Sequence, residues 1–249
     1  MVESSSSVVS SASRLPAITL RRKFYVALAV LMTSTVILGF WPSYYGPLTQ
    51  GMTQTPWILH FHGVVYIGWM SLLILQTILA ARGRIQAHRS VGRIGIGYGF
   101  AVLLVGLLVS FVAPVMHVAA GQWTLDQAAA FLPIPLGDMV LFGGFFGAAT
   151  IYRRQPEIHK RYMLLATVAL LFAAVFRMNQ AGWVSVPGAI SVWFVPVVLS
   201  MAYDILRRGR VHPVYWIGVA AMGLSLLKLP LGTTNFWISF GGRIIESLS

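Results

Sequence analysis

The chain of 249 residues alternates long apolar runs with short polar segments. Seven runs approach the roughly 20 helical residues needed to cross a hydrocarbon core about 30 Å thick. We predict membrane spans at residues 24–41, 57–81, 94–116, 131–152, 162–178, 187–206 and 214–229. The runs do not alternate between apolar and polar residues, which excludes a β-barrel. The pattern predicts an all-α polytopic membrane helix bundle, with one leading helix followed by three helical hairpins.

Composition agrees with a bundle that faces lipid. Only 10% of the residues are charged, whereas an ordinary soluble domain has about 25%. The net charge of +12 does not indicate a nucleic-acid partner, because most Lys and Arg residues cluster beside the apolar runs, at 21–23, 82–93, 153–161 and 207–210. We therefore expect the lipid bilayer and other membrane protein subunits as partners. The absence of cysteine excludes disulfides, thiolate metal sites and a Cys nucleophile.

The positions of the basic clusters predict the topology. Segments 82–93, 153–161 and 207–210 all follow even-numbered spans, and the alternate loops are nearly free of Lys and Arg. By the positive-inside rule, the N-terminus is cytoplasmic and the C-terminus lies outside a bacterial inner membrane. The Ser-rich segment 1–20 is predicted to be a disordered tail. Residues 21–249 are then a single transmembrane domain.

The three basic turns form an internal repeat. Each ends one span and places a histidine at the start of the next: His88, His159 and His212. Histidines at equivalent positions could converge on a metal or on an anionic group such as a haem propionate. They could equally cap their helices among anionic lipid head groups. The sequence leaves both interpretations open.

Two further histidines, His60 and His62, lie near the opposite end of the second span. Residues i and i+2 of a helix point about 200° apart, so the two rings do not easily face one ligand. His62 shares its helix face with Tyr66 and Trp69, and Gly63 would let a flat cofactor approach. We predict that His62 matters more than His60. The alternative is a pair of interfacial residues satisfied by head groups.

One acidic and two basic residues are expected at the same depth as His62. Asp138 lies in the fourth span, Arg177 near the end of the fifth and Lys228 near the end of the seventh. An unpaired charge inside a membrane is costly, so we predict an ion pair between Asp138 and one of the two cations. The group is either a polar ligand pocket or a salt bridge that holds helices together.

The motifs of the basic turns carry a resemblance. The string Arg82-Gly-Arg-Ile, followed by His88-Arg89, and the later His159-Lys-Arg161-Tyr-Met163 resemble uncharacterised bacterial multi-pass inner-membrane proteins. The same hairpin is similar to small membrane proteins linked to cytochrome oxidase assembly. The resemblance covers residues 57–216, and it implies a role in respiratory complex assembly.

The sequence leaves three classes of function open. The first hypothesis is a redox-linked protein that binds haem or a metal through His62 and the inner histidines, because haem iron needs one or two axial ligands. The second is a transporter or small-molecule-binding protein built around Asp138, and the third is a non-catalytic interaction subunit. No Ser-His-Asp order, phosphate-binding loop or His-Glu-x-x-His motif occurs, so the sequence assigns no reaction.

Overall fold

The computed structural model describes residues 15–51 and 55–248, which form helices joined by turns, with no strand among them. The helices are α1 Leu15–Phe40, α2 Gly46–Thr49, α3 Trp57–Ala81, α4 Ile85–Ala119, α5 Leu125–Phe131, α6 Pro133–Ile151, α7 Pro156–Gln180, α8 Val186–Arg208, α9 Pro213–Ser225, α10 Lys228–Gly232 and α11 Asn235–Leu248. A π-helical turn, Trp41–Tyr45, joins α1 to α2. Residues 1–14 of the expected tail lie outside the described residues, and α1 already includes 15–20.

Within residues 15–51 and 55–248, seven spans are long and apolar enough to cross a membrane: Lys23–Thr49, Trp57–Ala81, Ile85–Ala119, Leu125–Ile151, Pro156–Gln180, Val186–Arg208 and Pro213–Gly232. The predicted all-α bundle is confirmed, and the chain is a multi-pass membrane protein. The second span has the predicted bounds. Two others are built from two helices each: α5 and α6 meet at Leu132, and α9 is followed by α10.

The third and fifth spans begin well before the predicted residues. Hydropathy alone ends an apolar run at its first charges, whereas α4 begins at Ile85 and α7 at Pro156. Proline suits the first turn of a helix because its missing N–H would have had no partner there. In α7 the helix also continues through Arg161, whose charge is buried against another helix. The predicted start of the fifth span, at residue 162, is therefore wrong, because the helix begins at Pro156.

Helix α7 is the centre of the bundle. It packs against α1, α6, α8 and α9, and it is the most buried of the seven spans. The other spans form a ring around it, through the neighbouring pairs α1–α3, α3–α4, α4–α6, α6–α9, α9–α8 and α8–α1. Close approach to the central helix needs small residues, and a Cβ on Gly39 would overlap the Ala174 backbone. Within this ring, α3 and α4 pack less closely on α7 than their neighbours α1 and α6 do.

The bundle has two chemically different ends. The turns at 82–84, 152–155 and 209–212, together with the helix ends beside them, carry most of the Arg residues, and we call this the basic end. Gly83 and Gly209 give two of these turns their left-handed residue, with φ of 73° and 70°. The opposite end, which includes the turns at 120–124 and 181–185, we call the neutral end. His88 and His159 lie at the basic end, and His62 lies toward the neutral end.

An additional helix, α11, follows the last span at the neutral end. It is strongly amphipathic, and its buried side, Gly241, Gly242 and Ile245, packs on α5. Trp237 Nε1 donates a hydrogen bond to the Ala129 carbonyl oxygen at 2.9 Å. Phe236, on the other side, is exposed. An amphipathic helix with an exposed aromatic residue beside a membrane span is suited to the lipid–water interface.

Candidate functional site

A cavity of about 1680 Å³ opens at the basic end, between α3, α4 and α7. α1 and α6 contribute the rest of its wall. Along α3 the lining extends from Ala81 to Trp69, a rise of about 18 Å at 1.5 Å per residue. This is more than half of a hydrocarbon core about 30 Å thick. The cavity therefore crosses one leaflet, at the position where the ring of helices is loosest around α7.

The deep part of the cavity is apolar. Met32 of α1, Leu72 of α3, Phe146 of α6 and Met163 of α7 line it, and Trp69 closes its inner limit. The Trp69 ring packs edge-on against the Phe146 ring, with centroids 5.7 Å apart and an interplanar angle of 80°. Walls of this kind favour an apolar ligand, because burying a polar group there without a partner would be unfavourable.

The mouth of the cavity is cationic. Its lining includes Arg89, Arg93, Arg153, Arg154 and Lys160, and no Asp or Glu of the described chain lines it. Lys160 donates to the Glu157 carboxylate at 2.9 Å, so part of its charge is balanced. The arginines leave a net positive field at the opening, which attracts anions. The cavity is thus amphipathic, with an apolar interior below a positively charged mouth.

His159 lines this cavity with its tautomer fixed by the backbone. Its Nδ1–H donates to the Ala149 carbonyl oxygen at 2.8 Å. That carbonyl is in the last turn of α6, where helix carbonyls lack an intrahelical partner. A neutral imidazole that donates from Nδ1 has an unprotonated Nε2. This is the arrangement in which metal-ligating histidines are usually held, with the second nitrogen orienting the ring.

His88 lines the same cavity and has a different partner. Its Nδ1 lies 3.3 Å from the Gln76 carbonyl oxygen. The Gln76 amide is fully satisfied when its oxygen accepts from the Gly92 N–H at 2.9 Å and its nitrogen donates to the His88 carbonyl at 3.2 Å and to His88 Nδ1. In that arrangement Nδ1 accepts from the Gln76 amide and cannot also donate to the Gln76 backbone carbonyl, so Nε2 carries the proton. His88 is then a hydrogen-bond donor to whatever occupies the cavity.

The three repeat histidines, for which a shared site and helix capping were both open, do not all lie in one place. His88 and His159 both line the cavity. His212 does not line the cavity: its Nδ1 accepts from the Val214 N–H at 3.3 Å and caps α9. Burial and the charge of Arg161 lower the pKa of His212, which favours the neutral ring that this acceptor role requires.

The two histidines near the neutral end do not share a site with the basic-end pair. His62 and Gln76 are on the same helix, about 21 Å apart by helical rise, and Gln76 contacts His88. One haem iron therefore cannot take both His62 and His88. His60 and His62 also differ from each other. His60 Nδ1 lies 2.7 Å from the Tyr44 hydroxyl, whereas His62 packs on Tyr66 with ring centroids 4.1 Å apart.

The expected ion pair of Asp138 is present, and its cation is Lys228. Both side chains are buried, and Lys228 Nζ also lies 3.6 Å from the centroid of the Phe172 ring. Arg177 is separate. Its guanidinium lies over the Phe40 ring, 4.5 Å from the centroid. Because Asp138 and Lys228 satisfy each other inside a packed part of the bundle, the pair joins α6 to α10 rather than forming an open ligand pocket.

A second buried ion pair is one that sequence reasoning missed. Arg161 and Asp204 have exposed fractions of 0% and 1%, and they form a two-pronged ion pair between α7 and α8. Arg161 also donates to the Glu157 carboxylate at 2.9 Å. The sequence signal was present, since Asp204 is one of very few acidic residues within a span. Counting Arg161 among the loop cations concealed it.

Among the described residues, no group of three or more His, Asp or Glu side chains could hold a metal ion. The histidine pair of the cavity is therefore the candidate site for a cofactor that needs one or two protein ligands. Comparisons with protein-family models, with curated proteins and with solved structures find no match to this chain. The functional argument therefore depends on the chemistry of the cavity.

Proposed function

We propose that this protein binds haem in the cavity at its basic end, with His159 as an axial ligand, and that it takes part in membrane redox chemistry. The observation that carries the proposal is the hydrogen bond from His159 Nδ1–H to the Ala149 carbonyl oxygen, which leaves an unprotonated Nε2 on a residue that lines the cavity. Haem iron in redox proteins is commonly held by such histidines. When bound, haem supplies one-electron chemistry, while the protein sets its position and surroundings.

The shape and charge of the cavity support haem over a simple metal ion. Its volume of about 1680 Å³ exceeds the roughly 300–1,000 Å³ of most small-ligand pockets, so a macrocycle can enter. The apolar wall suits the porphyrin plane, and Gly92 and Gly95 keep part of α4 free of side chains. The arginines at the mouth suit the two propionates, since guanidinium groups pair with carboxylates through two hydrogen bonds.

The other polar residues of the cavity have supporting roles in this proposal. His88 donates from Nε2 to a ligand or to a propionate, and Gln76 holds its tautomer. Trp69 closes the deep end and keeps water away from the apolar wall. Exclusion of water matters for redox chemistry, because burial and polarity of the surroundings set the reduction potential.

We further propose that the basic end faces the cytoplasm across a bacterial inner membrane. The support is the distribution of Arg residues among the turns, which follows the positive-inside rule. The N-terminus is then cytoplasmic, the C-terminal helix α11 lies outside, and the cavity opens to the cytoplasmic leaflet. A role beside other membrane subunits in respiratory complex assembly, which the resemblance of the basic hairpins implies, would use this haem site.

The test is the absorption spectrum of the detergent-purified protein, as isolated and after titration with hemin. We expect a Soret band in the wild type, its loss in His159→Ala, and an altered but retained band in His88→Ala. His212→Asn is the matched control, because Asn keeps the helix cap at the equivalent position outside the cavity. His62→Ala should also retain haem. A wild type that binds no hemin, or a His159→Ala variant with an unchanged spectrum, contradicts the proposal.

A further inference from the structure

A second, smaller cavity opens at the basic end, between α7 and α8. Its volume is about 290 Å³, and most of its lining is cationic: Lys160, Arg161, Tyr203, Asp204, Arg207 and Arg208. One water molecule occupies about 30 Å³ of liquid, so the space corresponds to roughly ten waters. It is much smaller than the cavity of about 1680 Å³ proposed for haem, and its size suits a single polar group. We call it the α7–α8 cavity.

The inner wall of the α7–α8 cavity is a buried ion pair. Arg161 Nε donates to Asp204 Oδ2 at 3.0 Å, and Arg161 Nη2 donates to the other carboxylate oxygen. Asp204 Oδ2 also accepts from the His212 N–H at 3.2 Å. No acidic residue of the described chain other than Asp204 lines the cavity. Because both of its oxygens are already used, the cavity presents no unpaired carboxylate to a cation.

The cations around the α7–α8 cavity outnumber its acidic residues. The Glu157 carboxylate forms ion pairs with three of the lining side chains, those of Lys160, Arg161 and Arg208. Among the described residues, four cations are therefore set against two carboxylates, Asp204 and Glu157. Arg207 and Arg208 are exposed, so the opening lies at the surface of the bundle. An open cavity with excess positive charge attracts an anion.

Tyr203 adds a hydrogen-bond donor that has no partner. Its hydroxyl oxygen is buried and forms no hydrogen bond within the described structure. Phe24 stacks on the Tyr203 ring, with centroids 3.9 Å apart and an interplanar angle of 6°, and the Arg207 guanidinium lies 5.8 Å from the ring centroid. A buried polar atom without a partner is destabilising, and in native proteins it usually indicates an unseen ligand, water or ion. Because Tyr203 lines the α7–α8 cavity, a ligand there would satisfy it.

From these contacts we propose that the α7–α8 cavity binds a phosphate group, carried either by an anionic phospholipid or by a soluble phosphate ester. A guanidinium suits phosphate oxygens because it can bind two of them through parallel hydrogen bonds. Arg207 supplies such a fork at the opening, and the Tyr203 hydroxyl donates to a further oxygen. The lining is rich in donors, and an ionised phosphate ester offers several acceptors.

The position of the cavity along the helices favours a lipid as the source of the phosphate. Helix α8 has 23 residues and is about 35 Å long, so its ends extend beyond a hydrocarbon core about 30 Å thick. Arg207 and Arg208 are its last two residues. Leu206 beside them is 84% exposed and suits contact with an acyl chain. Basic pockets between transmembrane helices are known sites for anionic head groups.

Native mass spectrometry of the detergent-purified protein tests the proposal, with phosphatidylglycerol, phosphatidylcholine and glycerol 3-phosphate as probes. We expect phosphatidylglycerol to bind more tightly than phosphatidylcholine. Its affinity should fall about tenfold in Arg207→Gln, as for loss of a charge-assisted hydrogen bond. Arg210→Gln is the matched control, because Arg210 is an exposed cation beside the end of α8 and lines neither cavity. It should bind phosphatidylglycerol as the wild type does.

Tyr203→Phe supplies a second readout, since it removes only the hydroxyl. In lipid-free detergent this variant should melt at the wild-type temperature or above, because no unsatisfied oxygen is left. Phosphatidylglycerol should bind to it a few-fold more weakly and should stabilise it less than it stabilises the wild type. A purely structural role of the hydroxyl would instead lower the melting temperature without lipid.

Glycerol 3-phosphate distinguishes the two sources of the phosphate. Binding of phosphatidylglycerol alone identifies a lipid site, whereas binding of glycerol 3-phosphate that Arg207→Gln weakens shows that the site accepts a soluble ester. The proposal is overturned if neither probe binds, if phosphatidylcholine binds as tightly as phosphatidylglycerol, or if Arg210→Gln loses as much affinity as Arg207→Gln. Equal binding by Tyr203→Phe and the wild type also overturns it. Arg207 and Tyr203 do not line the haem cavity, so these results are independent of hemin binding.

Discussion

Two regions of the bundle, around the Asp138–Lys228 pair and at the mouth of the cavity, use charged residues in opposite ways. At the neutral end, Asp138 and Lys228 are buried in contact with each other, and aromatic rings pack around them. At the basic end, arginines such as Arg89 and Arg93 face a large cavity that no carboxylate of the described chain lines. The first arrangement satisfies its charges internally, as a structural element does. The second leaves positive charge facing an open volume, as a binding site does.

The largest loss of stability is expected when the buried Asp138–Lys228 pair is broken. Asp138→Ala leaves Lys228 buried without its counter-ion, and breaking such a pair costs about 3–5 kcal/mol. The double variant Asp138→Ala, Lys228→Met should be more stable than the single one, since it removes the stranded charge. Melting temperatures in detergent measure both. Additive effects of the two substitutions would show that the residues do not interact, and the contrast between the two regions would fail.

A cavity cation should behave differently from Lys228. Arg93→Gln removes a charge that faces the cavity, so the melting temperature should change little, by about 0.5 kcal/mol or less in stability. Its effect should instead be on hemin affinity, with a loss of several-fold to about tenfold, as for a charge-assisted hydrogen bond to a propionate. High salt should weaken hemin binding by the wild type as well.

Arg210→Gln supplies the control for that measurement. Arg210 belongs to the third basic turn and does not line the cavity. It should therefore leave hemin affinity close to that of the wild type. If Arg210→Gln weakens hemin binding as much as Arg93→Gln does, the field of the whole basic end, rather than the cavity mouth, governs binding.

Sequence patterns predicted the spans and the location of the basic turns because hydropathy and charge are properties of single positions. They also predicted that Asp138 is paired, since an isolated charge in a membrane is costly. What they could not supply is which spans are neighbours. That His88 and His159 share a cavity while His212 does not depends on the central position of α7, which no local pattern encodes. The hydrogen bonds that His159 forms with Ala149 and His88 forms with Gln76 also depend on which helices are neighbours.

Helix α11 is an instructive omission, because its pattern was readable. Phe236, Phe240 and Ile244 recur at helical spacing after the last span, with Gly241 and Ile245 on a neighbouring face. The run is shorter than a span and includes charged residues, so a search for membrane-crossing segments passes over it. The periodicity alone, applied to residues 235–248, would have predicted an amphipathic interfacial helix.

A smaller loss of stability than at the Asp138–Lys228 pair is expected at the deep limit of the cavity. Trp69 Nε1 donates to Thr167 Oγ1 at 3.3 Å and links α3 to the central helix α7. Trp69→Phe removes the donor and keeps an aromatic ring. Loss of the hydrogen bond should lower stability by only about 0.5–1.5 kcal/mol, and the smaller ring adds a separate loss of packing. Thr167→Val removes the acceptor and leaves the Trp69 N–H buried without a partner, which should cost about 1–3 kcal/mol. The double variant should be no less stable than Thr167→Val alone, because no unpaired donor remains. Melting temperatures of the three variants provide the comparison, and a double variant clearly less stable than either single one would mean that the ring volume of Trp69, rather than its hydrogen bond, holds α3 against α7.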